Sequence, residues 1–217
     1  MGTYTAKKGL YKPDVNETGW GSLVSSTILD LLDRLSDLFG YRAVGTTLNR
    51  WYTSMLSGAA LTTVAPTANV LRAFPFLVPN KMTLDQIAVN VTTLTAGKQR
   101  LGIYSDNGSV GPGALLLDAG EVDTGTTGVK AATISQAIPA GTLLWLAVVG
   151  NAAPTVRALP VGGGIALLGL DSTLGTNPGI GWTVAYTYGT LPATFPGSPT
   201  VIDSSAAQPA IFVRASA

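Results

Sequence analysis

Leu143-Leu144-Trp145-Leu146-Ala147-Val148-Val149 is an unbroken apolar run, preceded by Pro139-Ala140-Gly141 and closed by Gly150. Successive side chains of a strand point to opposite faces, so such a run has no wet face. It has to be a central strand covered on both sides, with Trp145 in the core. Ile87-Ala88-Val89-Asn90-Val91 reads differently, because its apolar residues alternate and one face is left for water.

The same texture extends outward from these two stretches. Candidate strands are Val70–Val78, Leu84–Leu94, Arg100–Ser105, Ala114–Asp123, Val129–Gln136, Thr142–Gly150, Thr155–Val161, Ile165–Leu170, Trp182–Tyr188 and Ala210–Ala215. Turn signals such as Asp106-Asn107-Gly108, Gly111-Pro112-Gly113 and Gly162-Gly163-Gly164 separate them. Short strands about ten residues apart point to a mainly β fold, a jelly-roll-like β-sandwich over residues 70–217. Residues 1–21 read as an extended arm. In residues 22–40, Val24, Ile28, Leu31, Leu35 and Leu38 follow a heptad seam, so a short amphipathic helix is expected there. That helix either packs on its own domain or joins copies of itself in a short oligomeric bundle, a trimer being compatible. Residues 41–69 read as a connector with a strand candidate at Arg50-Trp51-Tyr52-Thr53.

Composition removes many functions. The 217-residue chain has no cysteine and no histidine. Disulfide scaffolds, zinc ribbons, thiol nucleophiles and histidine-based triads are therefore excluded. Only 12% of residues are charged, against about 25% in an ordinary domain, and the net charge is +1. No electrostatic footprint for nucleic acid or an anionic membrane follows from that balance, and no apolar stretch is long enough to span a bilayer. A surface built from glycine, threonine, serine and alanine suits either a subunit covered by partners or a secreted β domain.

The search for chemistry leaves three candidates. Asp118, Glu121 and Asp123 form an acidic cluster, in which Glu121 and Asp123 would share one face of a strand. They are either solvated residues or a carboxylate pair of the kind glycosidases use. Asp106 and Asn107 could offer oxygen ligands to calcium, or simply cap a turn. Trp182, Tyr186 and Tyr188 are evenly spaced and would form a platform for stacking sugar rings, with Trp51, Tyr52 and Tyr104 as further aromatics. Packing in a core or interface is the competing role for each. No cofactor or metal site is expected.

Two stretches carry a resemblance. Gly9-Leu10-Tyr11-Lys12-Pro13-Asp14 and Gly19-Trp20-Gly21, followed by the helix with Leu29-Asp30 and Leu32-Asp33, resemble the N-terminal attachment segments of tailed-bacteriophage fibre proteins. Phe74-Pro75-Phe76-Leu77-Val78-Pro79, Leu101-Gly102-Ile103-Tyr104-Ser105-Asp106 and Gly141-Thr142-Leu143-Leu144-Trp145-Leu146-Ala147 look like the β-sandwich modules of phage fibre and head-decoration proteins. The resemblance implies a non-enzymatic virion protein, homotrimeric, with no catalytic residues to carry over. Leu10, Tyr11, Pro13 and Trp20 would anchor it to a capsid, tail or baseplate protein, leaving the sandwich free to touch host-surface glycan. The rival expectations are a capsid cement protein and a carbohydrate-binding module.

Overall fold

The run from Leu143 becomes the strand it demands. A computed structural model describes residues 49–54, 60–78, 81–164, 167–170, 174–175 and 177–216, and the backbone of residues 3–4 and 11–12. Leu10, Pro13, Trp20 and the heptad residues Val24, Ile28, Leu31, Leu35 and Leu38 lie outside the described residues. The chain divides into two units, Met1–Gly45 and Thr46–Ala217. In the first, β1 (Thr3–Tyr4) and β2 (Tyr11–Lys12) form a short antiparallel ladder that pairs Tyr4 with Tyr11.

The described residues of the second unit contain strands and no helix. They supply β3 (Trp51–Thr53), β4 (Thr62–Val64), β5 (Val70–Leu77), β6 (Met82–Thr93), β7 (Lys98–Asp106) and β8 (Pro112–Asp123). After these come β9 (Gly128–Ile138), β10 (Leu143–Gly150), β11 (Thr155–Leu159), β12 (Gly179–Ala185), β13 (Thr200–Asp203), β14 (Gln208–Pro209) and β15 (Phe212–Ala215). One sheet has the order β13-β12-β5-β10-β7-β8; the other runs β14-β11-β6-β15-β3, with β9 added beside β6 and β4 beside β11. Every pairing is antiparallel, and the chain repeatedly crosses between the sheets, so the fold is a mainly β sandwich. Two strands from the stretch read as a connector, β3 and β4, belong to it.

Two apolar clusters hold the sandwich. The larger fills the space between the sheets, with Phe74, Leu101, Ile103, Leu144 and Leu146 from one side and Leu84, Ile87, Val89 and Val213 from the other. The second lies on the outer face of the six-stranded sheet. There Leu71, Tyr104, Trp145 and Ala147 are covered by Leu191 and Phe195 of the chain that follows β12. Strand β10 therefore has a dry environment on both faces and sits between β5 and β7, as its composition requires.

Two readings of strand position are corrected. The segment read as a strand at Ile165–Leu170 forms none among its described residues: Leu167 and Leu168 are in a turn, and Leu170 is exposed. Gly169, at φ +69°, breaks the extended path there. The strand read at Trp182–Tyr188 runs instead over Gly179–Ala185. Gly181 lies within it, where a Cβ would meet the Ala73 carbonyl at 2.7 Å, so only glycine lets β12 approach β5 this closely.

One buried group is poorly served. Gln99 on β7 is 1% exposed, and its Oε1 has no hydrogen-bond partner. A buried acceptor without a donor costs free energy that an apolar side chain of similar shape avoids. Gln99→Met should therefore leave stability unchanged or raise it by about 1 kcal/mol, read from the urea midpoint. A loss of that size would mean the amide does more than fill space.

Candidate functional site

The acidic cluster is assembled by a defect in the strand ladder. Along β7 and β8, Leu101 pairs with Gly120 and Gly102 with Asp118, so Ala119 is extra. Gly120 has φ +83°, the left-handed conformation that a bulge of this kind needs. The extra residue shifts the strand's parity and brings Asp118 to the same side as Glu121. Arg100 bridges them: its Nε donates to Asp118 Oδ1 at 2.8 Å, and its Nη1 lies 3.5 Å from Glu121 Oε1. Lys98 Nζ donates to Glu121 Oε2 at 2.8 Å. Asp118 also accepts the backbone N–H groups of Gly120 and Leu191.

Glu121 and Asp123 share one face of β8, opposite Arg100 and Lys98, as expected, and the bulge adds Asp118 to that face. Asp123 caps a turn by accepting the Gly125 N–H at 2.8 Å. Burial raises the Asp118 carboxyl, but its bonds to Arg100, Gly120 and Leu191 outweigh this and hold it below the usual carboxylate range. The Lys98 hydrogen bond does the same for Glu121. Both are carboxylates at neutral pH, and neither offers the raised-pKa acid that glycoside hydrolysis requires. Their geometry holds β7, β8 and the Leu191 segment together.

The other expected sites are also engaged in the fold. Asp106 accepts the Trp145 indole N–H at 2.9 Å and the Gly108 N–H at 2.8 Å, while Asn107 caps Ser109. Among the described residues, no group of three acidic, histidine or cysteine side chains could hold a metal ion. Trp182, Tyr186 and Tyr188 do lie on one face, but they pack against the outer cluster and are half-buried. Trp182 Nε1 donates to the Val110 carbonyl, and the Tyr186 hydroxyl donates to that of Thr190. The Tyr188 hydroxyl is buried beside Glu121 without a hydrogen bond of ordinary geometry. Burial first, then the side-chain interaction with Glu121 beside it, push it up to about 12. Tyr104 is fully buried, and Tyr52 packs against the main core. Of these aromatics, Trp182, Tyr186 and Tyr188 keep part of their surface open to solvent, while Tyr104 keeps none.

Trp51 stands apart from them. On the outer face of the seven-stranded sheet, Trp51, Ala88, Asn90, Val129 and Phe212 line a hollow of about 120 Å³. Register explains it. Phe212 pairs with both Ala88 and Thr53, and Asn90 pairs with Val129, so the small Ala88 leaves a dip among larger neighbours. The Arg214 guanidinium lies 5.7 Å from the Trp51 ring and is itself bonded to Asp85 at 2.6 Å. Of these residues, sequence reading singled out Trp51 alone. Ala88 and Asn90 were visible as the wet face of β6, but Val129 and Phe212 join them only through long-range pairing.

No protein-family model matches the chain, and no curated protein is similar to it.

Proposed function

We propose that the chain is a non-enzymatic structural subunit of a bacteriophage virion, a trimeric fibre or head-decoration protein. Its first unit would join it to the particle, and its sandwich would be displayed. The observation that supports this most is the engagement in the fold of the groups that could have formed a site. Asp118, Glu121, Asp106 and Asn107 all serve strands and turns, which is the economy of a scaffold. Low charge and exposed Leu116, Val129 and Val201 on the sandwich are consistent with contacts to other subunits. A cement role, clamping capsid subunits together, uses the same features and differs in its consequence for particles.

The test is incorporation. A chain lacking residues 1–21 should stay folded and fail to join particles, as judged by its copy number on purified virions. Particles without the full chain should keep their heat stability; bursting at lower temperature with normal adsorption would select the cement role. Leu31→Asp combined with Leu35→Asp should reduce the sedimentation mass to that of one chain. An unchanged mass would remove the helical seam from the proposal.

A further inference from the structure

We propose that β9 is an open sheet edge that takes β9 of a second copy of the chain as an added strand, antiparallel about Thr133. This goes beyond the structural role above and stands whether or not the chain is a virion subunit.

Strand β9 is bonded to β6 on one side, and no other strand among the described residues pairs with it. Backbone groups of an antiparallel strand face its two neighbours alternately, so about half of those in β9 point away from β6. Among the described residues, one further bond reaches the β9 backbone, from the Gln136 carboxamide to the Ala137 carbonyl. A row of free N–H and C=O groups matches another extended strand.

The other edges of the sandwich are blunted. Strands β3, β4, β13 and β14 are only two to four residues long, and Pro66, Pro199 and Pro209 lie in or near the last three. Strand β8 is bonded near its start to Ala193 and Phe195, is bulged at Ala119, and carries Asp118, Glu121 and Asp123. Short length, proline, bulges and charge are the devices that keep sheet edges apart. Strand β9 has 11 residues, no proline, and Lys130 as its one charge. The Lys130 ammonium is turned back onto the Thr126 hydroxyl. Register against β6 shifts once, beside Asp85, yet exposed and covered residues alternate unbroken from Val129 to Ala137.

Symmetry and charge select a second copy as the occupant. A twofold axis at Thr133 uses the whole strand, setting Val129 opposite Ala137, Lys130 opposite Gln136, Ala131 opposite Ser135 and Ala132 opposite Ile134. Covered residues then meet covered ones and exposed residues meet exposed ones, so both sheet faces continue across the axis. The two Lys130 positions stand about 20 Å apart, beyond a screening length of about 8 Å. Parallel in-register pairing would instead set them side by side at about 5 Å, which is unfavourable.

One added strand is a small contact, so a dissociation constant of about 100 µM is expected. The pair is open at about 5 µM, where sedimentation reads the helical seam, and largely closed at about 500 µM. Sedimentation equilibrium of the full chain should show the average mass rising at least about 1.5-fold between those concentrations. Thr133 is exposed, so Thr133→Lys should leave the thermal transition in place while setting two like charges opposite each other and abolishing the rise. Ala131→Lys combined with Ser135→Glu places opposite charges across the axis at unchanged net charge, and should tighten pairing about three- to tenfold. A mass that stays constant with concentration would overturn the proposal. So would a rise that survives Thr133→Lys, which would put the contact on another face. Loss of association in the double variant would exclude the antiparallel register.

Discussion

Trp145→Ala is expected to remove about 3–5 kcal/mol of stability, the range for deleting a large buried aromatic side chain. Trp145 is fully buried, and its neighbours on both sides are complete strands: β10 pairs with β5 from Leu143 and with β7 from Leu144. The ladders on either side hold the backbone in place, and only the Leu191 and Phe195 segment that covers the ring can move toward the space, so part of the cavity persists. The change also strips Asp106 Oδ1 of its indole donor. A typical domain has only about 5–15 kcal/mol in total, so the variant should melt far earlier or fail to fold. Trp145→Phe separates the two contributions. It keeps most of the ring volume and loses the hydrogen bond to a charged acceptor, worth about 1.5–3 kcal/mol. Urea unfolding with an unchanged slope would read both losses. Were Trp145→Ala to stay within about 1 kcal/mol of the parent, the outer cluster would not be the second core described here.

What could be read from sequence depended on whether a feature obeys a period. The both-faced apolar run of β10 and the alternation of β6 placed those strands correctly, since each pattern has one solution in a sheet. The bulge at Ala119 does not obey the period of two. Counting along the strand places Glu121 and Asp123 on one face correctly but leaves Asp118 on the other, and the extra residue at Ala119 brings it to Glu121 on Arg100. Alternation is equally silent about what covers an outward face. Tyr104 and Trp145 point away from the main core, and only the return of the chain at Leu191 and Phe195 makes their side dry. The glycine at position 181 is silent in the same way, because the close approach that demands it involves Ala73, far away in sequence. The Trp51 hollow draws on β3, β6, β9 and β15, and no local pattern predicts that meeting. Residues 22–40 are the converse, a clear local pattern that the described residues do not reach.

The carboxylate of Asp118 should give the sandwich an acid-sensitive clasp. Its two oxygens accept from three N–H donors: Arg100 Nε, shared between both oxygens, Gly120 and Leu191. Three chain segments therefore meet on one charge. The Arg100 and Asp118 side chains are 18% and 17% exposed, so the pair is mostly withdrawn from water. Removing one member of a fully buried pair costs about 3–5 kcal/mol. The residual exposure here brings the expectation for Asp118→Ala to about 2–3 kcal/mol at neutral pH. The pH dependence follows from the direction of the shift. The folded-state pKa is lowered, so the unfolded chain takes up the proton first as pH falls. The charge-dependent stability is then fully present above the unfolded pKa of about 3.9 and is lost as pH falls through the lower folded value. Asp118→Asn keeps the shape and removes the charge. Its deficit against the parent should accordingly be largest near neutral pH and shrink progressively below about pH 4. Urea midpoints measured across that range read this difference, and amide exchange at Leu191 should quicken in both variants, because the bond that closes its segment is lost or weakened. A deficit that stayed constant from neutral to acid pH would show that Asp118 acts through shape and not charge. Unchanged exchange at Leu191 would show that the segment over the outer cluster is held by Leu191 and Phe195 packing without the clasp.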